Sequence, residues 1–278
     1  MLTTTVDGLL VLQVISGIEV LAPELGLRPH LPSVETKQAA LEHPMAAELR
    51  EQGVIDEQGV VDAPVLEWLT VIARRDVALL IHAVTPDHDG LPRRVLLARY
   101  AQWWVTIERT EHLIRIGPAG MATAEGAASS IVADQIDRLC GTNAPAQLRP
   151  VTLEADALVA TVRDRDTLRR HLMDLALDAD QIRLLMLAGD PSRSAQASIV
   201  AVQSGVETGT PTRAVLSTAS AAIVDTPEGR VVYETVQRDG KKWFIVSPGS
   251  AKVIATAVGQ LLRCLPASDD WYSYRKVV

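Results

Sequence analysis

The chain predicts an α+β fold: a central antiparallel β-sheet with helices packed against it, built from two repeats related by a pseudo-twofold axis. Three observations lead there. Residues 198–246 form a meander of short β-branched runs broken by turn residues, closing on Ser247-Pro248-Gly249-Ser250 and a helical stretch. The same grammar occurs earlier, as runs at 77–84, 94–100, 103–109 and 112–116 followed by Gly117-Pro118-Ala119-Gly120 and another helical stretch. Pro118 and Pro248 stand 130 residues apart, while Trp103-Trp104-Val105 and Val231-Val232-Tyr233 stand 128 apart, and the hairpin Arg238-Asp239-Gly240 absorbs the difference. Strands joined by hairpins pair antiparallel, and two meanders joined edge to edge would cover the unpaired strand each would otherwise expose.

In chain order, the apolar run at 9–15 reads as an N-terminal strand ended by Ser16-Gly17. Pro23, Gly26, Pro29 and Pro32 then forbid regular structure. Ser33 caps a helix in which Leu41, Met45 and Leu49 recur toward Gly53, with Pro44 as a kink or restart. Asp62 and Pro64 open a second helix that buries Val65, Trp68, Leu69 and Ile72. The loop at 85–92 is polar, flanked by prolines and longer than a tight hairpin needs, so it should be exposed. Ile131, Val132, Ile136 and Leu139 give the helix after the meander one apolar stripe, and Gly141 stops it. The first repeat thus covers 33–141.

Residues 143–150 connect the halves, and from Thr152 the chain reads as helical, with Leu168, Leu172 and Leu175 in register. Asp178 and Gln181 have capping-box spacing ahead of Ile182, Leu185 and Met186, and Gly189-Asp190-Pro191 ends that helix. The second meander carries a flexible loop at 204–212, a Thr226-Pro227-Glu228-Gly229 turn and the Asp239-Gly240 hairpin. Val253, Ile254, Val258, Leu261 and Leu262 pack the last helix, and Pro266 terminates it. The second repeat covers 152–266, and residues 1–278 are read as one domain sharing one core.

Composition narrows the function. The formal charge is −7, and no basic block is longer than Arg74-Arg75, Arg93-Arg94, Arg169-Arg170 or Lys241-Lys242. Phosphate-backbone binding therefore lacks its electrostatic footprint. Two cysteines in 278 residues make no disulfide framework, and Cys140 and Cys264 read as buried thiols at equivalent helix ends. The start lacks the basic segment of a signal peptide, and Gln13 and Glu19 interrupt the following apolar run before it could span a bilayer, so a cytosolic protein is expected.

No catalytic constellation emerges. Asp87-His88-Asp89 offers metal-ligand types, but a loop tripeptide needs further anchors and a supporting shell, so an exposed turn is the better reading and no metal or cofactor is expected. The Gly117–Gly120 and Ser247–Ser250 segments would place backbone N–H groups at helix starts, where anions bind, and a small-ligand or nucleotide-binding enzyme is the alternative they support. No P-loop lysine follows either one. There is no Gly-x-Ser-x-Gly elbow for a nucleophile. His82 reads as packed or half-buried in a strand and His171 as solvated beside Arg170. Asp164, Arg165, Asp166, Arg169 and Arg170 read as a solvated charged face.

Several stretches resemble one family along the whole chain: Met1-Leu2-Thr3-Thr4-Thr5-Val6-Asp7-Gly8-Leu9, Pro23-Glu24-Leu25-Gly26-Leu27-Arg28-Pro29, Glu67-Trp68-Leu69-Thr70-Val71, Trp103-Trp104-Val105, Leu148-Arg149-Pro150-Val151-Thr152, Ala221-Ala222-Ile223-Val224-Asp225-Thr226, Ser247-Pro248-Gly249-Ser250 and Trp271-Tyr272-Ser273-Tyr274-Arg275. They are similar to the ESX secretion-associated EspG family of mycobacteria, and to one subgroup of it closely. The resemblance implies a pseudo-twofold α+β fold and a cytosolic, non-enzymatic chaperone of type VII secretion. Such a chaperone binds cognate PE/PPE heterodimers by the hydrophobic tip of the PPE subunit and keeps them soluble. It also implies that the sheet, a strand-connecting loop and the C-terminal helical part make the contact. Binding residues do not transfer by motif, so position alone nominates them: Asp87, His88, Asp89 and Leu91 in the first inter-strand loop, Ser204, Val206, Thr208 and Arg213 in its echo, and Lys241 with Arg213 as charged rim. When unbound, the protein is expected to be a monomer or weak homodimer.

Overall fold

In the computed structural model, which describes residues 1–86, 91–205 and 214–276, strands and helices alternate in blocks. The first half runs β1 (Leu2–Thr5), α1 (Val6–Ile15), α2 (Lys37–Glu42), α3 (Pro44–Glu51), α4 (Ala63–Arg74), β2 (Val77–Val84), β3 (Arg93–Tyr100), β4 (Trp103–Thr110), β5 (Leu113–Met121) and α5 (Glu125–Cys140). The second runs β6 (Val151–Glu154), α6 (Ala155–Thr161), α7 (Arg165–Met173), α8 (Ala179–Ala188), β7 (Ala195–Gln203), β8 (Val215–Leu216), β9 (Ala221–Thr226), β10 (Gly229–Arg238), β11 (Lys241–Pro248) and α9 (Ala251–Arg263). All the named strands lie in one 11-stranded sheet ordered β1-β5-β4-β3-β2-β7-β9-β10-β11-β6, with β8 paired to β7 off this path. Every ladder between them is antiparallel.

The two halves meet at the β2–β7 ladder, where Val77 pairs Gln203 and Val84 pairs Gln196. Read inward from each edge, the order is a short strand, the last strand of a meander, its two predecessors, then the seam strand. Two-residue hairpins set the meander registers. Ala101, Glu111 and Asp239 take positive φ values of 57°, 51° and 53°, and Gly240 follows Asp239 at 75°. That left-handed geometry matches the twist of the flanking strands.

Helices cover both faces. The N-terminal helices bury Leu9, Leu12, Leu49, Leu69 and Ile72 against Leu96, Ala98, Val105 and Ile107 on one face of the first half. On the opposite face, α5 and α9 bury Val132, Ile136, Ile254 and Leu261 against Leu79, Leu97, Ile199 and Val232, joined by Trp104 and Trp271. The remaining cover, α7 and α8, sets Leu172, Leu184 and Leu185 over Val151, Leu153, Val224 and Val246.

Three expectations are corrected. Residues 9–15 are helical, not a strand: the strand is Leu2–Thr5, and the Thr5 hydroxyl accepts from the Gly8 N–H to start α1. A short run that is apolar all round has no period to tell strand from helix, and the capping threonine decides it. Thr152 belongs to a strand, because residues 151–154 pair with Val246–Trp243 before the helix starts. Gly117–Gly120 lies inside β5, and its helix begins at Glu125. Pro44 does restart the chain as a second helix, with the His43 imidazole capping it.

Candidate functional site

The two halves differ where they should be most alike. Strands β1 and β6 occupy the two edges with the same alternation of buried and exposed residues, and each passes straight into a helix. In the first half that helix, α1, is ten residues long and buries Leu9, Val11, Leu12, Gln13 and Val14. In the second, α6 is seven residues long and buries only Ala155. The sheet beneath α6–α8 is consequently left partly uncovered, and a cavity of about 410 Å³ opens there, lined by Leu153, Leu158, Val162, Leu168, Leu185 and Phe244 among others.

Its floor is a cross-strand row. Arg94 pairs His82, His82 pairs Ser198, Ser198 pairs Ala222, Ala222 pairs Tyr233, Tyr233 pairs Val246 and Val246 pairs Val151. Directly opposed residues share a face, so these side chains form one stripe across the middle of the sheet. Exposure falls along it: Arg94 and His82 are exposed, Ser198, Ala222 and Tyr233 half-buried, Val246 and Val151 buried. The result is an apolar groove that opens toward the seam between the N-terminal helices and α6–α8. Its polar groups are mostly satisfied internally. Thr235 Oγ1 accepts from the Ser220 N–H at 2.7 Å and bonds its hydroxyl at 2.6 Å, and Gln196 Nε2 donates to Ser198 Oγ at 3.0 Å.

The residues expected from sequence do not gather into one site. Asp87, His88, Asp89, Val206, Thr208 and Arg213 lie outside the described residues. Leu91 is 38% exposed at the end of the seam that also carries Gln196. Ser204 corrects the expectation of an exposed loop: it is only 8% exposed, its N–H donates to the Asp76 carbonyl, and its own carbonyl accepts from Tyr274 Oη. It sits at the other end of the seam, just past β7 and eight residues on from Gln196, and so roughly 26 Å away. Antiparallel pairing of β2 with β7 puts Val84 and Gln196 at one end of the seam and Val77 and Gln203, next to Ser204, at the other. Lys241 pairs Arg238 and bonds Glu154 at 3.0 Å, one residue out of phase with Phe244 and Leu153 and hence on the sheet face away from the groove.

The other candidates resolve as structure. Gly117 and Gly120 pair with Thr106 and Trp104, so their backbone serves the ladder and not a helix N-terminus. Ser250 caps α9 with its hydroxyl, while Gly249 is required by contact: a Cβ there would stand 2.3 Å from Arg230 Cγ. Cys140 is half-buried and Cys264 exposed, not both buried, and burial pushes the Cys140 thiol up to about 11. His82 is the exposed histidine, whereas His171 is half-buried within 3.0 Å of Thr161 Oγ1. Among the described residues no cluster of three His, Cys, Asp or Glu has metal-binding geometry, and no helix is long and apolar enough to cross a membrane. The groove itself was not legible in the sequence, because it arises from the brevity of α6, within a stretch that reads as continuous helix.

A profile of the EspG family matches residues 5–260, and the chain belongs to that family. Over its full length it is 48% identical to the ESX-2 secretion-associated protein EspG2 of Mycobacterium tuberculosis, covering 100% of both chains. It is 25% identical to the ESX-5 secretion-associated protein EspG5 of Mycobacterium marinum, across 99% of this chain and 97% of that one. Among solved structures, the fold matches the Mycobacterium tuberculosis type VII secretion system chaperone EspG5, determined in complex with a PE25-PPE41 dimer, with a TM-score of 0.75, 20% identity and coverage of 98% and 99% of the two chains. The mixed helices and large antiparallel sheet expected from sequence are therefore those of a known relative.

Proposed function

We propose that the protein is a specificity chaperone of type VII secretion, which binds a PE/PPE heterodimer in the cytosol through an apolar tip of the PPE subunit, keeps it soluble for export and catalyses no reaction. The observation that carries this reading is the groove: an apolar, solvent-open sheet surface flanked by helices, in the half where the cover is short. An exposed apolar tip on a client is an aggregation hazard, and a complementary groove lowers the concentration of the sticky species by mass action. The family's membership among ESX secretion-associated proteins, and the PE25-PPE41 dimer held by the structural relative, support the same reading. The end of the seam that carries Leu91 lies beside the groove and belongs to the proposed surface. We read the chain as one domain with repeats at 33–141 and 152–266.

Co-expression tests it. The wild-type chain should solubilise and co-purify with a PE/PPE heterodimer from an ESX-2-type system. Ala222→Trp, which fills the groove from its floor, should abolish capture while leaving the fold intact by circular dichroism. Failure of the wild-type chain to retain any such heterodimer would sink the proposal.

A further inference from the structure

Tyr233 stands in the groove as a polar group without an internal partner. Its side chain projects from β10 between Ala222 and Val246 and lines the cavity with Leu153, Leu168, Leu185 and Phe244. Nearby Ser220, Thr235, Gln196 and Ser198 satisfy one another, but among the described residues the Tyr233 hydroxyl neither donates nor accepts a hydrogen bond, and burial alone raises its pKa. The half-buried phenol keeps its hydroxyl accessible in the open groove, where a bound segment can replace water as its partner. Phenylalanine would give the same packing, so the hydroxyl adds no internal hydrogen bond to the free protein among the described residues.

We propose that Tyr233 is the polar anchor of the groove, donating a hydrogen bond to a backbone carbonyl of the bound segment, and that the segment is an apolar helix end or inter-helix turn. The inference rests on the proposed client-binding reading of this site. The acceptor follows from the surroundings. An occupant apolar enough to displace water from walls of Leu, Val and Phe brings few polar side chains, so the acceptor nearest to hand is its own main chain. The last carbonyls of a helix have no intrahelical donor, and a straight helix flank would present none. The anchor would then fix the depth and orientation of the client tip, while the leucines supply area without direction.

The test is Tyr233→Phe, with Ala222→Trp as the reference block, each measured for Tm and for Kd toward the purified PE/PPE heterodimer that the wild-type chain retains. The Phe variant should melt close to the wild-type temperature and bind the heterodimer about tenfold more weakly, the loss expected when a buried acceptor is left unpaired. Unchanged affinity in the Phe variant, alongside loss of binding in the Trp variant, would overturn the anchor and leave the groove standing. Unchanged affinity in both would overturn the groove as well. A lowered Tm in the Phe variant would show that the hydroxyl serves the fold and would also overturn the anchor.

Discussion

The buried guanidinium of Arg99 donates to the carbonyl oxygens of Ala101 and Tyr272, each at 2.8 Å, and also to that of Tyr274, so a residue of β3 grips the last turn of the chain. Asp76, also fully buried, completes the clamp: it lies 3.9 Å from Arg99 and accepts from the N–H groups of Ala101 and Lys276. Burial lowers the Arg99 pKa to about 10, with Asp76 opposing the shift. Replacing Arg99 with Met would take the donor from the Tyr272 carbonyl and leave the buried Asp76 carboxylate with the half-exposed Arg275, at 3.5 Å, as its charged partner. We expect a loss of about 3–5 kcal/mol, the usual consequence of removing one partner of a buried pair. Urea denaturation of the variant checks it.

Trp271 is the apolar half of the same tail. It is 1% exposed and meets Trp104 edge-on, with ring centroids 6.3 Å apart and planes at 74°. Among the described residues its indole N–H has no partner, so the side chain contributes packing. Trp271→Ala should cost about 3–5 kcal/mol, and Trp271→Phe markedly less because no hydrogen bond is lost. Equal losses from the two changes would contradict this.

Arg230 joins the halves from the other side. Its guanidinium donates to Asp225 and, at 2.9 and 2.8 Å, to the Gly141 and Cys140 carbonyls at the C-terminus of α5. Gly249 leaves room for the arginine stem, since a Cβ there would sit 2.9 Å from the Arg230 backbone carbon. Gly249→Ala therefore should destabilise by about 1–3 kcal/mol through overpacking. Thermal melts should show the drop, and pairing it with Arg230→Ala should give less than the sum of the two separate losses.

These contacts mark where sequence reading stops. Meander registers were legible because Asp239-Gly240 and the alternating β-branched runs report local geometry, and the Asp178 and Gln181 capping box forms as spaced. Arg99, Asp76 and Arg230 were not, because nothing local distinguishes a buried charge from a solvated one; their partners come from up to 200 residues away. Residues 9–15 and 152–154 misled for the opposite reason, as short segments whose type is decided by a capping side chain or by strand pairing.

Glu234 provides a pH test. It is half-buried on β10 beside a cavity of about 260 Å³ shared with Gln237, Gln260 and Cys264, and burial raises its pKa above the usual 4.5. A carboxyl whose folded pKa is raised favours the folded state while protonated. That contribution is present below 4.5 and is lost as pH climbs through the raised folded value. Glu234→Gln should thus raise Tm at pH 7 and change it little at pH 4. A variant no more stable than wild type at neutral pH would refute the assignment.

Lys241 tests which face of the sheet binds. Its ammonium reaches Glu154 at 3.0 Å, with the two side chains 57% and 32% exposed, a geometry that contributes little to stability in water. Register places it opposite the groove, so Lys241→Glu should shift stability by less than about 1 kcal/mol and leave heterodimer affinity within about twofold. Leu158→Asp, on the α6 wall of the groove, should instead weaken capture at least tenfold, because a carboxylate would have to be desolvated against apolar walls. Binding that falls with Lys241→Glu and survives Leu158→Asp would move the client to the other face.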